Sequence, residues 1–137
     1  MKLNGIHHVA IIASDYAASR DFYVNKLGFE IIRETIRPEK RDVKLDVRVD
    51  ENTELEIFGM ENPPARVTNP EACGLRHLAF HVENIEEAIA ELAQKGIECE
   101  PLRTDPLTGN LMTFFRDPDN LPLELQCKRP KGSLGNS

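Results

Sequence analysis

Two histidines and two glutamates recur at corresponding places in the two halves of this 137-residue chain. His8 lies in the segment GIHHVAI, which returns 69 positions later as GLRHLAF with His77. Glu56 lies in the segment NTELEI, which returns 68 positions later as NLPLEL with Glu124. A repeated core needs only apolar residues to recur, so a repeated His and Glu require a chemical reason. The simplest is a metal ion bound where the two halves meet, because imidazole and carboxylate ligands together suit borderline divalent ions.

Strand geometry predicts which histidines can reach such an ion, because side chains along a strand alternate between two faces. His8 and the adjacent His7 are expected to point to opposite faces, and the repeat pairs His8 with His77. His81 shares the face of His77 but lies too far along the strand for the same ion. Taken singly, each His is more commonly a hydrogen-bonded core residue and each Glu a solvated charge. Their equivalent positions in a repeat favour a metal site with the ligands His8, Glu56, His77 and Glu124.

Each half of the sequence has the same β-α-β-β-β order of apolar segments and turns. In the first half the pattern predicts strands at 5–13, 29–36, 43–49 and 53–58 and a helix at 15–27. In the second half it predicts strands at 75–82, 97–102, 111–115 and 121–126, and a helix that Asn84 caps and Gly96 ends. The loop 103–110 is predicted to border a pocket.

This repeat predicts an α+β fold, in which two tandem modules form a curved, eight-stranded mixed sheet around a concave metal site with the helices outside. A repeat of this kind usually means that neither unit buries its sheet alone. Residues 1–127 are predicted to form one domain, with module one at 4–60, a Pro-rich linker at 61–73 and module two at 74–127. The basic tail 128–137 contains Gly and Ser and is predicted to be disordered.

Composition excludes several classes of protein. The chain is 40% hydrophobic and 29% charged, which is typical of a globular domain, and it has no apolar run of the ~20 residues that a membrane helix needs. A net charge of −6 disfavours nucleic acid and anionic membranes as partners. The N-terminus has no signal-peptide pattern, so we expect a cytoplasmic protein. Without CxxC spacing, neither disulfides nor a thiolate metal site are expected from Cys73, Cys99 and Cys127.

These residues resemble the vicinal-oxygen-chelate superfamily, which includes glyoxalase I, methylmalonyl-CoA epimerase, extradiol dioxygenases and proteins of fosfomycin or bleomycin resistance. The resemblance covers residues 5–126, and its markers are HVAI at 8–11, DFY at 21–23, LGF at 27–29, GLRHLAF at 74–80, DPDN at 117–120 and LEL at 123–125. It implies that all four predicted ligands hold the metal, as in glyoxalase I. Glu56 differs from the Gln that methylmalonyl-CoA epimerases generally have there, and three-ligand dioxygenases lack this carboxylate. Ile12 and Met60 stand where bacterial glyoxalase I binds glutathione through Arg and Asn, so another substrate is expected.

The resemblance implies a glyoxalase I-like lyase or isomerase that moves a proton through a metal-chelated enediolate of a small substrate with two vicinal oxygens. Glu124 is the predicted base, and Glu56 is the symmetric alternative. One divalent ion is expected per site, and the ligand types allow Ni, Co, Zn, Mn or Fe.

Other interpretations stay open beside this one. A methylmalonyl-CoA-epimerase-like isomerase and a non-catalytic, resistance-type protein that binds a small molecule both fit the superfamily, and oxygen chemistry fits less well because of Glu56. A homodimer is expected, with the metal site either within one chain or across the dimer. Four arginines could bind an acidic group on the substrate, although an arginine is more commonly a surface charge. They are Arg33, Arg37, Arg103 and Arg116.

Overall fold

The computed structural model describes residues 1–128 of the chain. Nearly all of the predicted tail, residues 129–137, lies outside the described residues. The chain divides into two compact units, unit 1 ending at Arg66 and unit 2 beginning at Val67, so the boundary falls inside the predicted linker 61–73. No helix among residues 1–128 is long and apolar enough to cross a membrane.

Unit 1 is a four-stranded sheet with a helical segment after its first strand. Its elements are β1 (His8–Ala13), α1 (Tyr16–Arg20), a π-helix (Asp21–Lys26), β2 (Glu30–Arg37), a 3-10 turn (Pro38–Lys40), β3 (Asp42–Arg48) and β4 (Glu54–Met60). The strand order is β1-β4-β3-β2, with β1 parallel to β4 and the other neighbours antiparallel. The first and last strands of the unit therefore lie side by side.

Unit 2 repeats this plan in a sheet of its own. Its elements are β5 (Leu78–His81), α2 (Ile85–Gln94), β6 (Arg103–Thr104), β7 (Leu111–Arg116) and β8 (Pro122–Cys127). The strand order is β5-β8-β7-β6, and β5 again runs parallel to the last strand, β8. The predicted α+β class and the two β-α-β-β-β modules are confirmed, and the eight strands form two four-stranded sheets where the sequence predicted one eight-stranded sheet.

Both α-helices begin at a residue whose side chain caps the first turn. Asp15 accepts a hydrogen bond from the Ala18 N–H at 3.1 Å, and Asn84 accepts one from the Glu87 N–H at 3.0 Å. These caps satisfy backbone donors that a helix leaves unpaired at its start. The predicted Asn84 cap of α2 is confirmed, and Gly96 follows the helix with a φ of 80°, which glycine adopts without strain.

The predicted continuous helix 15–27 is wrong, because α1 is short and gives way to the π-helix. In this segment the Leu27 N–H donates to the Phe22 carbonyl at 2.9 Å, with the wider spacing that defines a π-helix. Phe22 and Tyr23 are adjacent in sequence, yet both are buried, and their rings meet edge to face with 5.0 Å between centres. The apolar stripe of an α-helix also includes consecutive positions, so burial of Phe22 and Tyr23 fits either helix type and the sequence pattern did not indicate the π-helix.

In unit 1 the sheet has one buried face and one polar face. The core side chains of β3 and β4 are at most 1% exposed, and they are Leu45, Val47, Leu55 and Ile57. α1 packs closely against β4 at Gly59, where an added Cβ would lie 2.7 Å from the Tyr16 Cβ. A larger residue there would displace the helix, because packed interiors have no spare volume.

The predicted strand 97–102 is wrong, and the short strand β6 begins only at Arg103. Pro101 explains the difference, because proline has no N–H to donate to a strand ladder. The segment still runs beside β7. The Glu100 N–H donates to the Phe114 carbonyl at 2.8 Å, and the Thr113 hydroxyl donates to the Glu100 carbonyl at 2.7 Å.

Candidate metal centre

The first His–Glu pair lies on neighbouring parallel strands of unit 1. His8 is the first residue of β1 and pairs in register with Glu54 of β4, while Ala10 pairs with Glu56. Glu56 is therefore two residues further along β4 than Glu54, the residue opposite His8, and it lies on the same face of the sheet. This diagonal brings His8 Nδ1 to 3.5 Å from Glu56 Oε2.

The second His–Glu pair repeats this geometry in unit 2. His77 immediately precedes β5, where Leu78 pairs with Leu123 and Ala79 pairs with Glu124. Glu124 thus lies two residues further along β8 than the position opposite His77, which is the offset that Glu56 has from the position opposite His8. His77 Nε2 lies 2.9 Å from Glu124 Oε1. The repeated spacing in the sequence therefore corresponds to a repeated contact.

Each pair has the separation expected of two donor atoms on one ion. Zinc binds imidazole nitrogen and carboxylate oxygen at ~2.0–2.2 Å. Two donor atoms that subtend an octahedral or a tetrahedral angle at the metal are therefore roughly 3.0–3.5 Å apart. The two His–Glu distances, 3.5 Å and 2.9 Å, lie close to this interval. Residues 1–128 contain no group of three or more His, Cys, Asp or Glu side chains that could hold an ion, so the ligand types occur in pairs. The assignment of all four residues to one metal stays a prediction.

Glu56 has a cation as its second neighbour. Lys44 Nζ, from β3, lies 3.6 Å from Glu56 Oε1 and 3.5 Å from Asp46 Oδ1. Asp46 pairs in register with Glu56 and is fully buried, and its other oxygen accepts a hydrogen bond of 2.9 Å from Arg33 Nε. Two adjacent carboxylates repel one another, and the Lys44 ammonium between them offsets that repulsion.

Glu124 has a neutral amide as its second neighbour. Gln126 Nε2 donates to Glu124 Oε2 at 2.6 Å, and Asn110 Nδ2 donates to Gln126 Oε1 at 3.2 Å. Glu124 is 4% exposed. Phe114 pairs with Glu124 in register, and its ring meets the His77 ring edge to face with 5.1 Å between centres. The amide chain and the aromatic ring hold the second pair in place, as outer-shell groups do at metal sites.

Sequence reasoning left His7 out of the ligand set and gave no role to Lys44 or Gln126. His7 Nδ1 lies 2.9 Å from His8 Nδ1, so one ring donates and the other accepts. His7 precedes β1, so the alternation that predicted the opposite face does not apply to it. Gln126 could have been found from the alternation of side chains along β8, whereas Lys44 shares a sheet face with Glu56 only through the register of β3 against β4. His81, which was left out of the ligand set, is exposed.

Unit 2 also contains a cavity of about 910 Å³. His77, Glu124 and Phe114 line it, together with the three arginines Arg76, Arg103 and Arg116. The prediction that loop 103–110 borders a pocket is confirmed, because Arg103 and Asp105 are part of this lining. The second His–Glu pair therefore faces a space large enough for a small substrate.

Two carboxylates of unit 1 have lowered pKa values because of their hydrogen-bond partners. Hydrogen bonds from Tyr16 and then Arg20 lower the pKa of Glu34, while burial and Glu34 raise the pKa of Tyr16. Two hydrogen bonds from Arg37 lower the pKa of Asp42. These contacts fix β2 against α1 and β3, so their role is structural.

The residues that line the unit 2 cavity include none of the three cysteines. Cys73, Cys99 and Cys127 are all free thiols. Burial raises the pKa of Cys99, which disfavours the thiolate that a nucleophile needs.

Comparison with known proteins agrees with the fold. A family model described as the glyoxalase/bleomycin resistance protein/dioxygenase superfamily matches residues 5–125. The chain is 57% identical over 125 residues to uncharacterized protein YwkD of Bacillus subtilis, which covers 91% of this chain and 98% of that protein. It is 31% identical over 99 residues to the mitochondrial methylmalonyl-CoA epimerase of Bos taurus, covering 69% of this chain and 56% of the epimerase. The crystal structure of a glyoxalase family protein from Enterococcus faecalis matches with a TM-score of 0.87 and 61% identity, over 92% of this chain and 99% of that one.

Proposed function

The chain belongs to the glyoxalase/bleomycin resistance protein/dioxygenase superfamily, and we propose that it is a divalent-metal-dependent lyase or isomerase of the glyoxalase I type. The observation that supports this proposal is the repeated His–Glu contact, which has the same strand register in both units. The donor set fits a borderline divalent ion, and His8, Glu56, His77 and Glu124 would hold it. When bound, such an ion supplies a Lewis acid that makes a C–H bond beside the substrate oxygens easier to ionise.

Glu124 is the base in this proposal. It lines the unit 2 cavity, where a small substrate has room, and one of its oxygens is held by Gln126 while the other faces His77. A carboxylate oriented in this way can take a proton from carbon and return it to the adjacent carbon or to the same carbon. Return to the adjacent carbon gives a glyoxalase-type product, whereas epimerisation requires that a proton return to the same carbon from the opposite face, for which a second acid such as Glu56 is needed.

Glu56 is the symmetric alternative for the same role. Its two oxygens contact His8 and Lys44. A proton on Glu56 would weaken the ion pair with Lys44, and within residues 1–128 Glu124 has no lysine partner of this kind. We therefore assign Glu56 to metal binding and Glu124 to proton transfer.

The substrate in this proposal is not a glutathione conjugate. Ile12 is 54% exposed on the same face of β1 as His8, and Met60 lies on the same face of β4 as Glu56. Neither side chain can bind the carboxylates of glutathione. A different small compound with two neighbouring oxygens is the expected substrate.

A methylmalonyl-CoA-epimerase-like isomerase is the second candidate. The 31% identity to the bovine epimerase favours it. It also removes a proton beside a carbonyl group, but a proton must return from the opposite face, so Glu56 would act as the acid beside Glu124 as the base.

Metal analysis followed by a substrate screen tests the proposal. Protein purified without added metal is assayed for Ni, Co, Zn, Mn and Fe, reconstituted, and screened in D₂O against hemithioacetals, 2-hydroxycarbonyl compounds and acyl-CoA epimers. We expect a bound divalent ion and deuterium at the carbon beside a carbonyl, with His81→Ala as an unaffected control. Little metal after purification and no rescue by any of these ions would support a non-catalytic small-molecule binding protein instead.

A further inference from the structure

Two arginines of the unit 2 cavity share one carboxylate. Arg103 Nη2 lies 3.5 Å from Glu100 Oε1, and Arg116 Nη2 lies 4.0 Å from Glu100 Oε2. Both distances exceed the ~2.7–2.9 Å of a charge-assisted hydrogen bond. Within residues 1–128, Glu100 is the ion-pair partner of both guanidinium groups and no second carboxylate joins them. The three side chains together therefore carry an excess of positive charge.

The arginines on the polar face of unit 1 differ in this respect. Arg33 donates a hydrogen bond of 2.9 Å to Asp46, and Arg37 donates two hydrogen bonds of 2.8 Å and 2.7 Å to Asp42. Asp42 and Asp46 are both buried, so these pairs cannot open without leaving a charge unpaired in the interior.

The arginine cluster of the cavity is open to solvent. The side chains of Arg103, Arg116 and Glu100 are 53%, 45% and 41% exposed. An external acidic group can therefore reach the two guanidinium groups without breaking a buried contact, unlike at the arginines of unit 1.

We infer that Arg103 and Arg116 bind an acidic group of the substrate, a carboxylate or a phosphate, inside the unit 2 cavity. A guanidinium group presents paired N–H donors that match the oxygens of both anions. This assignment rests on the proposed function, since it names the substrate class of that reaction.

Glu100 makes room for the acidic group by moving its side chain alone. Its N–H is bonded to the Phe114 carbonyl and its carbonyl accepts from the Thr113 hydroxyl, so its backbone is fixed to β7. Its carboxylate contacts the arginines only at ion-pair distances. A ligand anion that forms hydrogen bonds with the arginines can therefore replace the weakly held Glu100 carboxylate without a change in the fold.

Phe114 connects this subsite to the second His–Glu pair. Its ring centre lies 5.1 Å from the His77 ring centre and 5.5 Å from Arg103 Cζ. Because both distances end at the same ring centre, the separation of Arg103 from His77 cannot exceed their sum. A short-chain substrate can thus place its acidic end at Arg103 and its reacting end at the His77–Glu124 pair.

Anion binding to metal-free protein tests this subsite separately from the metal. Protein is treated with a chelator, desalted and titrated with succinate or glycerol 3-phosphate at constant ionic strength, and backbone amide shifts are followed by NMR. We expect saturable shifts at Arg103, Phe114 and Arg116, and the probe that binds more tightly identifies the acidic group as carboxylate or phosphate.

Three variants make the result decisive. Arg103→Gln/Arg116→Gln should weaken probe binding about tenfold or more, because two charge-assisted contacts are lost. Glu100→Gln should tighten binding about threefold, because the competing carboxylate is removed. Lys40→Gln/Arg41→Gln, which removes the same charge from an exposed turn of unit 1, should leave binding unchanged.

Absence of saturable binding, or equal weakening in the arginine double variant and in the Lys40/Arg41 control, would overturn the inference. Arginine-dependent binding in a protein that takes up no divalent ion would retain the subsite and reject the proposed metal-dependent function.

Discussion

The two His–Glu pairs have the same strand geometry and different neighbours. In unit 1, Glu56 contacts the Lys44 ammonium, and in unit 2, Glu124 accepts a hydrogen bond from the Gln126 amide. The repeat has kept the groups that can bind a metal and has changed the groups behind them. In the proposed function, this difference makes the two glutamates equivalent as ligands and unequal in proton transfer.

The same substitution of charged by neutral residues extends along the neighbouring strand. With the 68-residue offset that relates Glu56 to Glu124, Lys44 corresponds to Met112 and Asp46 to Phe114. Asp42 corresponds to Asn110. Met112 and Phe114 line the unit 2 cavity, so the residues that form ion pairs in unit 1 are replaced by residues that border a space in unit 2.

The largest expected effect is on turnover, in Glu124→Gln compared with Glu56→Gln. Loss of the catalytic base should lower turnover of the screened substrate by about 10²–10⁴-fold at saturating metal. Glu56→Gln should weaken metal binding and recover most of its turnover when metal is added in excess. The measurement is steady-state rate against metal concentration, and full turnover by metal-loaded Glu124→Gln would remove Glu124 from the base role.

Gln126→Met should weaken metal binding by about 10–100-fold, as is usual when an outer-shell hydrogen bond to a ligand is lost. The amide holds one oxygen of Glu124, so its loss allows the carboxylate to turn away from His77. Chelator competition measures the affinity. An affinity equal to that of the unchanged protein would show that the amide does not orient Glu124.

Lys44→Met converts the neighbour of Glu56 to its unit 2 counterpart. It should change the metal affinity in the opposite direction from Gln126→Met. Removing an ammonium beside the ligand removes repulsion toward a dication, so metal binding should tighten by about three- to tenfold. The thermal midpoint should fall, because the buried Asp46 keeps Arg33 and loses Lys44. Weaker metal binding in Lys44→Met would contradict the claim that the Lys44 ammonium opposes a metal ion at Glu56.

The smallest effect is expected from Asp42→Asn, which also introduces the unit 2 counterpart. Hydrogen bonds from Arg37 lower the pKa of Asp42 in the folded protein, so the pair stabilises the fold at neutral pH. This stabilisation is present above the ordinary carboxyl pKa of ~4 and is lost as the pH falls through the lowered value. The thermal midpoint of the unchanged protein should therefore exceed that of Asp42→Asn at pH 7, and the gap should narrow in acid.

Glu51→Gln is the charge-matched control for this pH series, because Glu51 is exposed on the connection between β3 and β4. A gap between the unchanged protein and Asp42→Asn that does not narrow in acid would show that the ion pair does not account for the stability.

The sequence predicts the parts of this molecule that depend on local pattern. Residue alternation identifies the polar faces of β1 and β4, and Asn84 three residues before Glu87 predicts the start of α2. The repeated His and Glu predict one four-ligand site; the structure brings one His and one Glu together in each unit, and the union of the two pairs at one ion stays a prediction.

Other parts depend on contacts that the sequence pattern does not contain. The place of Lys44 beside Glu56 follows from the register of β3 against β4, and the sequence alone does not state that register. The π-helix is defined by the backbone hydrogen bond from Leu27 to Phe22, and the contact of His7 with His8 lies where the chain enters β1.

The most direct test of the central claim is metal stoichiometry in variants that disable one pair at a time. Native mass spectrometry and elemental analysis are applied to the unchanged protein, His8→Ala/Glu56→Gln, His77→Ala/Glu124→Gln and the control His81→Ala. The proposed function predicts one ion per site in the unchanged protein and in the control, and loss of that ion in either double variant, since both pairs serve the same ion. Binding that survives in either double variant, or protein that takes up no Ni, Co, Zn, Mn or Fe, would contradict it.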